Sequence, residues 1–531
     1  MIYIAILKYT FGVGLLLNLH HVSHVHGEVF TSISQLRELV KAERKLMKSL
    51  DLFIHEEEMK LEQLKSIKDA IEEDIPKVQD AHDFIGHPIN AFHLIKRVSG
   101  AWASVFHHSG NFAPYNEFKM VADEVLKIFP QHQDYHGACH AILRIQNIYK
   151  LNTTDIANGI IMNNKAMEPL SAVECLDIST TSTRTQYYRQ GLEWIDIAMQ
   201  RNLTVPDILD AKLTIADIYR LDGNHTDALQ IIHDIRADDQ YKDILTDDQK
   251  SRIKLTEAAS ELTVAPGEAF ALDWLEDYGK LCRGETLKTP KEVSQLKCRY
   301  KVGFNPYAPT KEEVLSISPW ISMFYDVITN EESEFIKHEA LPGLARAHVG
   351  DPSKADVTDQ RVGKVAWIYD THHPRIHQLS HRVAEITGLH TEYKTSLSHS
   401  EPFQVVNYGM GGQYEPHHDY YADISMLAHV PDFIKNTGDR LSTFLFYLND
   451  VEAGGATVFP YAKVHVPAVK GAAAFWFNVK RSGENDVRTL HAGCPVVLGQ
   501  KWVANKWIRE RGQYDVRPCG STPDAGEDYI L

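Results

Sequence analysis

The stretch Gln413-Tyr414-Glu415-Pro416-His417-His418-Asp419 carries the most informative pattern in this chain of 531 residues. In a strand, residues i and i+2 point to the same side, so His417 and Asp419 can direct an imidazole and a carboxylate to one point. His418 also offers an imidazole, but its side chain should face away from Asp419. The chain contains 28 histidines, so the pattern needs a third ligand and a supporting context before it indicates a metal site.

The third ligand must come from elsewhere in the chain, and His491 in Thr489-Leu490-His491-Ala492-Gly493 is the candidate. Two imidazoles and one carboxylate on one face of an iron ion leave its opposite positions open, as non-heme Fe(II) oxygenases need. Lys501 follows a turn at Gly499 and is expected on the return strand beside the metal. A buried ammonium among apolar side chains favours a bound carboxylate as its partner, whereas a surface position on an exposed strand is the alternative.

The residues around this pattern predict a β-rich C-terminal part. Strand-like runs at 403–408, 441–448, 472–479 and 494–498 are broken by glycine turns, which argues for an antiparallel barrel or sandwich. Upstream, prolines at 306, 309 and 319 mark a linker, and Thr329 with Glu332 predicts a capping box that opens a helix. We therefore expect a helical chain up to about residue 300 and a β-rich chain beyond it.

The helical part contains two patterns. Between Glu28 and Asp74, apolar residues recur at spacings of three and four, which predicts a coiled coil or a helix hairpin; an amphipathic helix packed on its own domain is the alternative. A later window, from Ala216 to Ile232, is close to the pattern of a tetratricopeptide helix pair. Four aromatic residues in this part could line a peptide groove or could equally belong to the core: Tyr187, Tyr188, Trp194 and Tyr219.

The N-terminus indicates the secretory pathway. Residues 1–27 combine a lightly positive start, a short apolar middle and small residues near Gly27, which predicts a cleaved signal peptide; an uncleaved signal anchor is the alternative. Three triplets are glycosylation acceptors in such a compartment, at Asn152, Asn202 and Asn224. The net charge of −16, without a Lys/Arg run, argues against a nucleic-acid partner.

The six cysteines include no C-x-x-C pair, which argues against a thiol oxidoreductase and against a zinc ribbon. In an oxidising lumen, cysteines that are close in sequence are expected to pair. The expected disulfides are Cys282–Cys298 and Cys494–Cys519.

Four blocks, at 407–419, 453–460, 491–496 and 501–508, resemble in order and spacing the α subunits of collagen prolyl 4-hydroxylases. Segments at 30–33, 60–63 and 86–92 look like the N-terminal dimerisation region of that family. The resemblance implies that His417, Asp419 and His491 hold Fe(II), and that Lys501 pairs with the far carboxylate of 2-oxoglutarate. It implies three further site residues, with Tyr408 and Thr443 hydrogen-bonded to the cosubstrate and Trp507 in the active site.

The sequence patterns and the resemblance together predict an organisation into five parts. These are a signal peptide (1–27), a helical dimerisation region with a coiled coil (28–140), a tetratricopeptide-like peptide-binding domain (141–245), a linker region with a disulfide (246–320) and a double-stranded β-helix, or jelly-roll, dioxygenase domain (321–531). The family's cysteine pairing agrees with the two short-range disulfides. Its members hydroxylate C4 of proline in X-Pro-Gly sequences in the endoplasmic reticulum lumen. They use L-ascorbate and assemble with protein disulfide isomerase, the β subunit, into an α2β2 tetramer.

Two alternatives stay open at this point. A peptidyl hydroxylase of another secretory substrate would use the same metal site, although lysyl hydroxylases place Arg where this chain has Lys501. A catalytically inactive peptide-binding subunit would not need to retain the three metal ligands and Lys501 together. The peptide-binding segment has fewer tyrosines than the family leads us to expect, which leaves the preferred substrate sequence open.

Overall fold

The computed structural model describes residues 33–74, 105, 113–125, 132–166, 169–261, 274–303, 305–347, 360–393, 399–421, 432–520 and 522. The predicted signal peptide and the segment 86–92 lie outside these residues. None of the described helices is both long enough and apolar enough to cross a membrane.

A helix of 42 residues, α1 (Ile33–Asp74), opens the described chain. The predicted helix is therefore confirmed, and it continues without interruption through the polar residues 56–58. It packs against α2 (Ala113–Val125), where the ring of Phe53 stacks on Phe118 with 5.6 Å between the ring centroids. This contact fits both a helix hairpin and an amphipathic helix packed on its own domain, because α1 has an apolar partner within its own chain.

The next helices form a layered helical region. They are α3 (His132–Tyr149), α4 (Thr153–Ala157), α5 (Ala172–Thr185), α6 (Tyr188–Met199), α7 (Val205–Leu221), α8 (His225–Ala237), α9 (Asp247–Glu261), α10 (Leu275–Cys282) and α11 (Pro290–Val293), and a small hairpin of β1 (Ile160–Ile161) and β2 (Asn164–Lys165) follows α4. Capping boxes at Ser171 and Thr204 start α5 and α7 by satisfying the first free amides of each helix. Helix α5 pairs with α6 and α7 with α8, so the region is built from helix hairpins.

The C-terminal part is built from antiparallel sheets, as the sequence predicts. Its strands are β3 (Cys298–Lys301), β4 (Thr310–Ile317), β5 (Trp320–Tyr325), β6 (Ala345–Arg346), β7 (Lys364–Ile368), β8 (Phe403–Tyr408), β9 (Tyr414–His417), β10 (Arg440–Tyr447), β11 (Ala453–Gly454), β12 (Thr457–Phe459), β13 (Val464–Val466), β14 (Ala473–Phe477), β15 (His491–Gly493), β16 (Val496–Leu498) and β17 (Lys501–Arg509). The large sheet has the order β3-β4-β5-β14-β10-β17-β8-β7-β6, and a smaller one has the order β13-β12-β15-β9. Strands β11 and β16 form a separate pair.

Three further helices belong to this part: α12 (Asn330–Ala340), α13 (Pro374–Thr387) and α14 (Asp432–Thr437). The predicted capping box is confirmed, since the hydroxyl of Thr329 accepts from the amide of Glu332 at the start of α12. The large sheet begins at Cys298, inside the range 246–320 that the sequence assigns to a linker.

The large sheet lies between two apolar layers, and strand periodicity decides which side chain enters which layer. On β10, Phe444 and Phe446 pack with α12 and α13, while Leu445 and Tyr447 face the small sheet. Successive side chains of a strand point to opposite faces, so alternate residues of β17 follow the same rule. Val503 contacts the small-sheet core, and Lys501 and Trp507 share its side of the strand.

The disulfide prediction is wrong in this structure. Cys282 bonds Cys494, with 5.6 Å between the Cα atoms, while Cys298 and Cys519 are free and exposed. The reason is tertiary packing, because α10 ends against the strands around β15 and places Cys282 beside Cys494. The two partners are 212 residues apart in sequence, so proximity along the chain did not indicate the pair.

Candidate active site

Three potential metal ligands converge where β9 and β15 pair. His417 lies directly opposite His491 in this antiparallel ladder, and Asp419 follows two residues after His417. Asp419 carboxylate oxygens lie 3.8 Å from His417 Nε2 and 3.6 Å from His491 Nε2, and the ligand atoms of all three residues are within 4.8 Å of one another. A divalent ion with bonds of about 2.1 Å fits between atoms at these spacings. His418 is not part of the cluster; its ring stacks on Tyr420 instead.

Backbone carbonyls orient both imidazoles for a metal. His417 Nδ1 lies 2.7 Å from the carbonyl oxygen of Glu415, and His491 Nδ1 lies 3.0 Å from that of Thr489. A ring nitrogen that donates to a carbonyl leaves Nε2 as the free acceptor, which is the arrangement that metal-binding histidines use. The ring of Tyr414 stacks on His417 with 3.5 Å between centroids and restricts its rotation.

The charge states at the cluster also suit a divalent cation. Burial lowers the pKa of His417 well below 6.5, so its imidazole is neutral at physiological pH. Burial alone would raise the pKa of Asp419, but the adjacent imidazoles of His491 and His417 outweigh it and lower that pKa to about 2. The hydroxyl of Thr443 donates to Asp419 at 2.6 Å and supports the ionised carboxylate.

Lys501 places a buried ammonium on the same cavity. Its side chain is on the inner face of β17, and Nζ donates to the hydroxyl of Thr457 at 3.2 Å. Burial lowers the pKa of Lys501 to about 7, and no described residue forms an ion pair with it. The rings of Tyr408 and Tyr447 lie 5.9 and 5.7 Å away. A buried cation without a carboxylate partner is suited to bind an anionic ligand.

Two of the three further predicted site residues line the cavity, and the third has a different partner. Tyr408 and Trp507 face the cavity with the metal cluster and Lys501. The Nε1–H of Trp507 is buried and has no hydrogen-bond partner among the described residues. Thr443 was expected to bond the cosubstrate, but its hydroxyl proton goes to Asp419, while Asn478 donates to its oxygen at 3.0 Å. It therefore supports the metal cluster from behind.

The predicted peptide groove is only partly compatible with the structure. Trp194 is fully buried in the helical core, and its Nε1–H donates to Gln146 at 2.8 Å, so this residue is not available to a peptide. An aromatic residue on the inner face of a helix belongs to the core, which is the alternative that the sequence left open. Tyr187, Tyr188 and Tyr219 are partly buried, and their role stays a prediction. The three acceptor asparagines, Asn152, Asn202 and Asn224, are exposed.

Several charged residues beside the site were not predicted from the sequence. Arg440 stacks on the ring of Trp507 with 3.6 Å to its centroid, and both oxygens of Glu401 accept from its guanidinium, at 2.6 and 2.9 Å. Arg509 lies 2.9 Å from the same carboxylate. The available signal was the charge itself, since Glu401 lies two residues before β8, a strand that is buried throughout, and Arg440 begins β10, whose other residues are all buried.

Comparisons with known proteins agree with this geometry. A family model described as the 2OG-Fe(II) oxygenase superfamily matches residues 403–509, which span the metal cluster and Lys501. A second, described as the N-terminal region of the prolyl 4-hydroxylase α subunit, matches residues 32–163. The fold, the site and these matches define the class: the C-terminal part is a 2-oxoglutarate- and iron(II)-dependent oxygenase.

The relatives cover almost the whole chain. The chicken prolyl 4-hydroxylase subunit alpha-2 is 36% identical over 527 residues, which cover 94% of this chain and 96% of that protein. Human subunit alpha-1 is 35% identical (94% and 96% covered) and human subunit alpha-3 is 31% identical (94% and 95% covered). Among solved structures, the collagen prolyl hydroxylase of Paramecium bursaria Chlorella virus-1 in complex with 2OG matches at 25% identity, with a TM-score of 0.28, over 36% of this chain and 95% of that one. The chain belongs to the family of prolyl 4-hydroxylase α subunits.

Proposed function

We propose that this protein is the catalytic α subunit of a procollagen-proline 4-dioxygenase. It hydroxylates C4 of proline in X-Pro-Gly sequences and converts 2-oxoglutarate and O2 into succinate and CO2. The observation that carries the proposal is the complete set of three metal ligands facing the unpaired ammonium of Lys501 in one buried cavity. A catalytically inactive subunit has no need to keep this arrangement.

The site residues divide the work as follows. His417, Asp419 and His491 hold iron(II), which supplies the oxidising chemistry when it is bound together with 2-oxoglutarate. Lys501 binds the far carboxylate of the cosubstrate through a charge-assisted hydrogen bond, and the hydroxyl of Tyr408, which pairs with Lys501 on the neighbouring strand β8, adds a neutral one. Trp507 lines the cavity, and the guanidinium of Arg440 stacked on its ring holds it there. We propose that this apolar ring keeps water away from the reacting centre.

The helical region binds the peptide substrate. We assign residues 141–245 to a tetratricopeptide-like domain whose helix hairpins bind proline-rich peptide, and 321–531 to a double-stranded β-helix. Tyr187, Tyr188 and Tyr219 remain candidates for contact with the flat faces of a polyproline II segment. Because Trp194 is buried in the core, fewer aromatic rings are available to contact a peptide than the sequence suggested. The binding of peptide therefore rests on fewer rings.

The wider setting follows from the family and from the sequence. We propose the endoplasmic reticulum lumen as the compartment, after removal of residues 1–27, with glycans on Asn152, Asn202 and Asn224. L-ascorbate reduces iron that becomes oxidised in turnovers without peptide. Protein disulfide isomerase is the proposed β subunit in an α2β2 tetramer.

The test is turnover of 2-oxoglutarate by the complex with and without a (Pro-Pro-Gly) repeat peptide. We expect the peptide to stimulate succinate release and to gain hydroxyproline in equal amount. His417→Ala should abolish both, and His418→Ala, whose ring lies outside the cluster, is the matched control. Stimulation by a lysine-containing peptide alone would instead support a hydroxylase of another secretory substrate.

A further inference from the structure

Helix α3 packs against both halves of the molecule. Cys139 and Leu143 belong to a core shared with α5 and α6 of the helical region. Ile145 and Tyr149, further along the same helix, belong to a second core that includes Ala492, the neighbour of a metal ligand on β15. The helix is therefore one place where the helical and oxygenase parts meet among the described residues.

Arg144 lies on α3 between these two cores and reaches the oxygenase part. It is 1% exposed, and its Nη1–H donates to the carbonyl oxygen of Gly411 at 2.7 Å. Gly411 belongs to the turn that leads into β9 and hence into His417. Its φ is +64°, and a Cβ atom there would lie 2.5 Å from the Cβ of Ala141. The helix and the turn are thus in direct contact, and the glycine is required both by the dihedral and by the lack of space.

The turn that Arg144 holds is tied to β16, the strand that follows the ligand-bearing β15. The amide of Gly411 donates to the carbonyl of Val496 at 2.8 Å, and the amide of Val496 donates to the carbonyl of Gly412 at 3.0 Å. Tyr149, one and a half helical turns after Arg144, donates its hydroxyl to the carbonyl of Pro495 at 2.7 Å. One helix therefore fixes the segment before His417 and the segment after His491.

The other end of the guanidinium is also held. Arg144 Nη2 lies 3.3 Å from Nδ1 of His140, one helical turn earlier. Burial, with the charge of Arg144 as a second cause, lowers the pKa of His140 to about 3, so its imidazole is neutral and accepts this bond. The guanidinium is therefore fixed at both ends in a buried site.

We propose that Arg144 is a positioning residue for the metal site. Its bond to Gly411 fixes the turn before β9 and thereby holds the His417 imidazole at the distance from His491 that a shared ion requires. The proposal rests on the proposed function, because it assumes that the His417, Asp419 and His491 cluster binds the metal. Outer-sphere partners of metal sites typically contribute about 10- to 100-fold in metal affinity.

The experiment measures Co(II) binding to the full chain in its complex, by titration calorimetry and by the visible absorption of the bound ion. The variants are Arg144→Met, which removes the donor, and Arg144→Lys, which keeps one donor and the charge. The matched control is Gln146→Leu on the same helix, because Gln146 is equally buried but bonds only within the helical region, to Trp194, Thr153 and Glu193. We expect Arg144→Met to weaken Co(II) binding at least about tenfold and to change its absorption spectrum. Arg144→Lys should lie between Arg144→Met and the unmodified protein.

The control separates positioning from general loss of structure. Gln146→Leu should lower the melting temperature but keep Co(II) affinity within about twofold and leave the spectrum unchanged. Unchanged Co(II) binding in Arg144→Met, or equal weakening in Gln146→Leu, would overturn the proposal. If Arg144→Met fails to fold, Arg144→Lys carries the same comparison. If the unmodified protein binds no Co(II), or if His417→Ala binds it equally well, the proposed function itself is wrong.

Discussion

The buried ammonium of Lys501 predicts a specific pH dependence for the binding of 2-oxoglutarate. Its pKa is lowered to about 7, while the anionic ligand requires the charged form. The apparent dissociation constant is the intrinsic one divided by the protonated fraction of Lys501. That fraction is about one half at pH 7, about one eleventh at pH 8 and about one hundredth at pH 9. The dissociation constant should therefore rise about fivefold from pH 7 to 8 and about ninefold from pH 8 to 9.

The sign of the effect follows from the direction of the pKa shift. Burial destabilises the charged form of Lys501, so the protein loses this proton as the pH rises through about 7, and affinity is lost with it. Two metal ligands do not change charge in this range, since the pKa of His417 lies well below 6.5 and that of Asp419 is about 2. The slope therefore reports the lysine rather than these ligands.

The assay is calorimetric titration of 2-oxoglutarate into the Mn(II)-loaded, oxygen-free complex at pH 7, 8 and 9. Lys501→Arg is the informative control, because a guanidinium stays charged with a pKa above about 12, so its binding should be flat over this range. Lys501→Met should bind about 100-fold more weakly at pH 7 and should also show no slope, because a buried charged pair is lost. A flat profile for the unmodified protein, or the same slope in Lys501→Arg, would refute the assignment of this residue.

Three other perturbations follow from the geometry. Thr443→Val removes the hydroxyl that donates to Asp419, so we expect the affinity for Co(II) to fall about tenfold. Thr457→Val removes the hydrogen-bond partner of Lys501 instead and should leave the affinity for Co(II) unchanged. Cys282→Ser removes the observed disulfide and should lower the free energy of unfolding by about 3 to 5 kcal/mol in urea titrations. Cys298→Ser should have no effect, because Cys298 is free in the structure. A loss of stability in both variants would instead support the Cys282–Cys298 disulfide. Glu401→Gln leaves Arg440 and Arg509 without their shared carboxylate, and we expect the free energy of unfolding in urea titrations to fall by about 3 kcal/mol. A fall below about 1 kcal/mol would mean that the two arginines bind other partners.

The relation between His417 and Asp419 could be predicted from the sequence because local geometry decides it, whereas His491 reaches them only through the pairing of β9 with β15 and was assigned from the resemblance. The i, i+2 relation brings His417 and Asp419 together, although β9 ends at His417 and Asp419 lies just beyond it. The alternation of β17 likewise puts Lys501 and Trp507 on one face. Such relations span only a few residues, so no knowledge of the tertiary fold is needed to predict them.

Other features depend on packing that no short pattern records. The partner of Cys282 is decided by where α10 ends in the assembled molecule, not by the nearest cysteine in sequence. Thr457 is 44 residues away from Lys501, and although it lies inside one of the four blocks, its ordinary hydroxyl does not indicate which side chain it contacts. For Trp194, helical spacing gave the same pattern for a groove and for a core, and the burial of its ring decided between them.

The contact of α3 and α10 with the strands around β15 limits where the chain can be cut to express the oxygenase part alone. A fragment cut at residue 321 would divide β5 after its first residue and discard β3 and β4 from the edge of the large sheet. It would also leave Cys494 as a free thiol and strip the apolar covering that α3 and α10 provide around β15. Such a fragment would expose apolar surface and an unpaired strand edge, and both promote aggregation. A soluble catalytic fragment therefore needs to include α3 and α10.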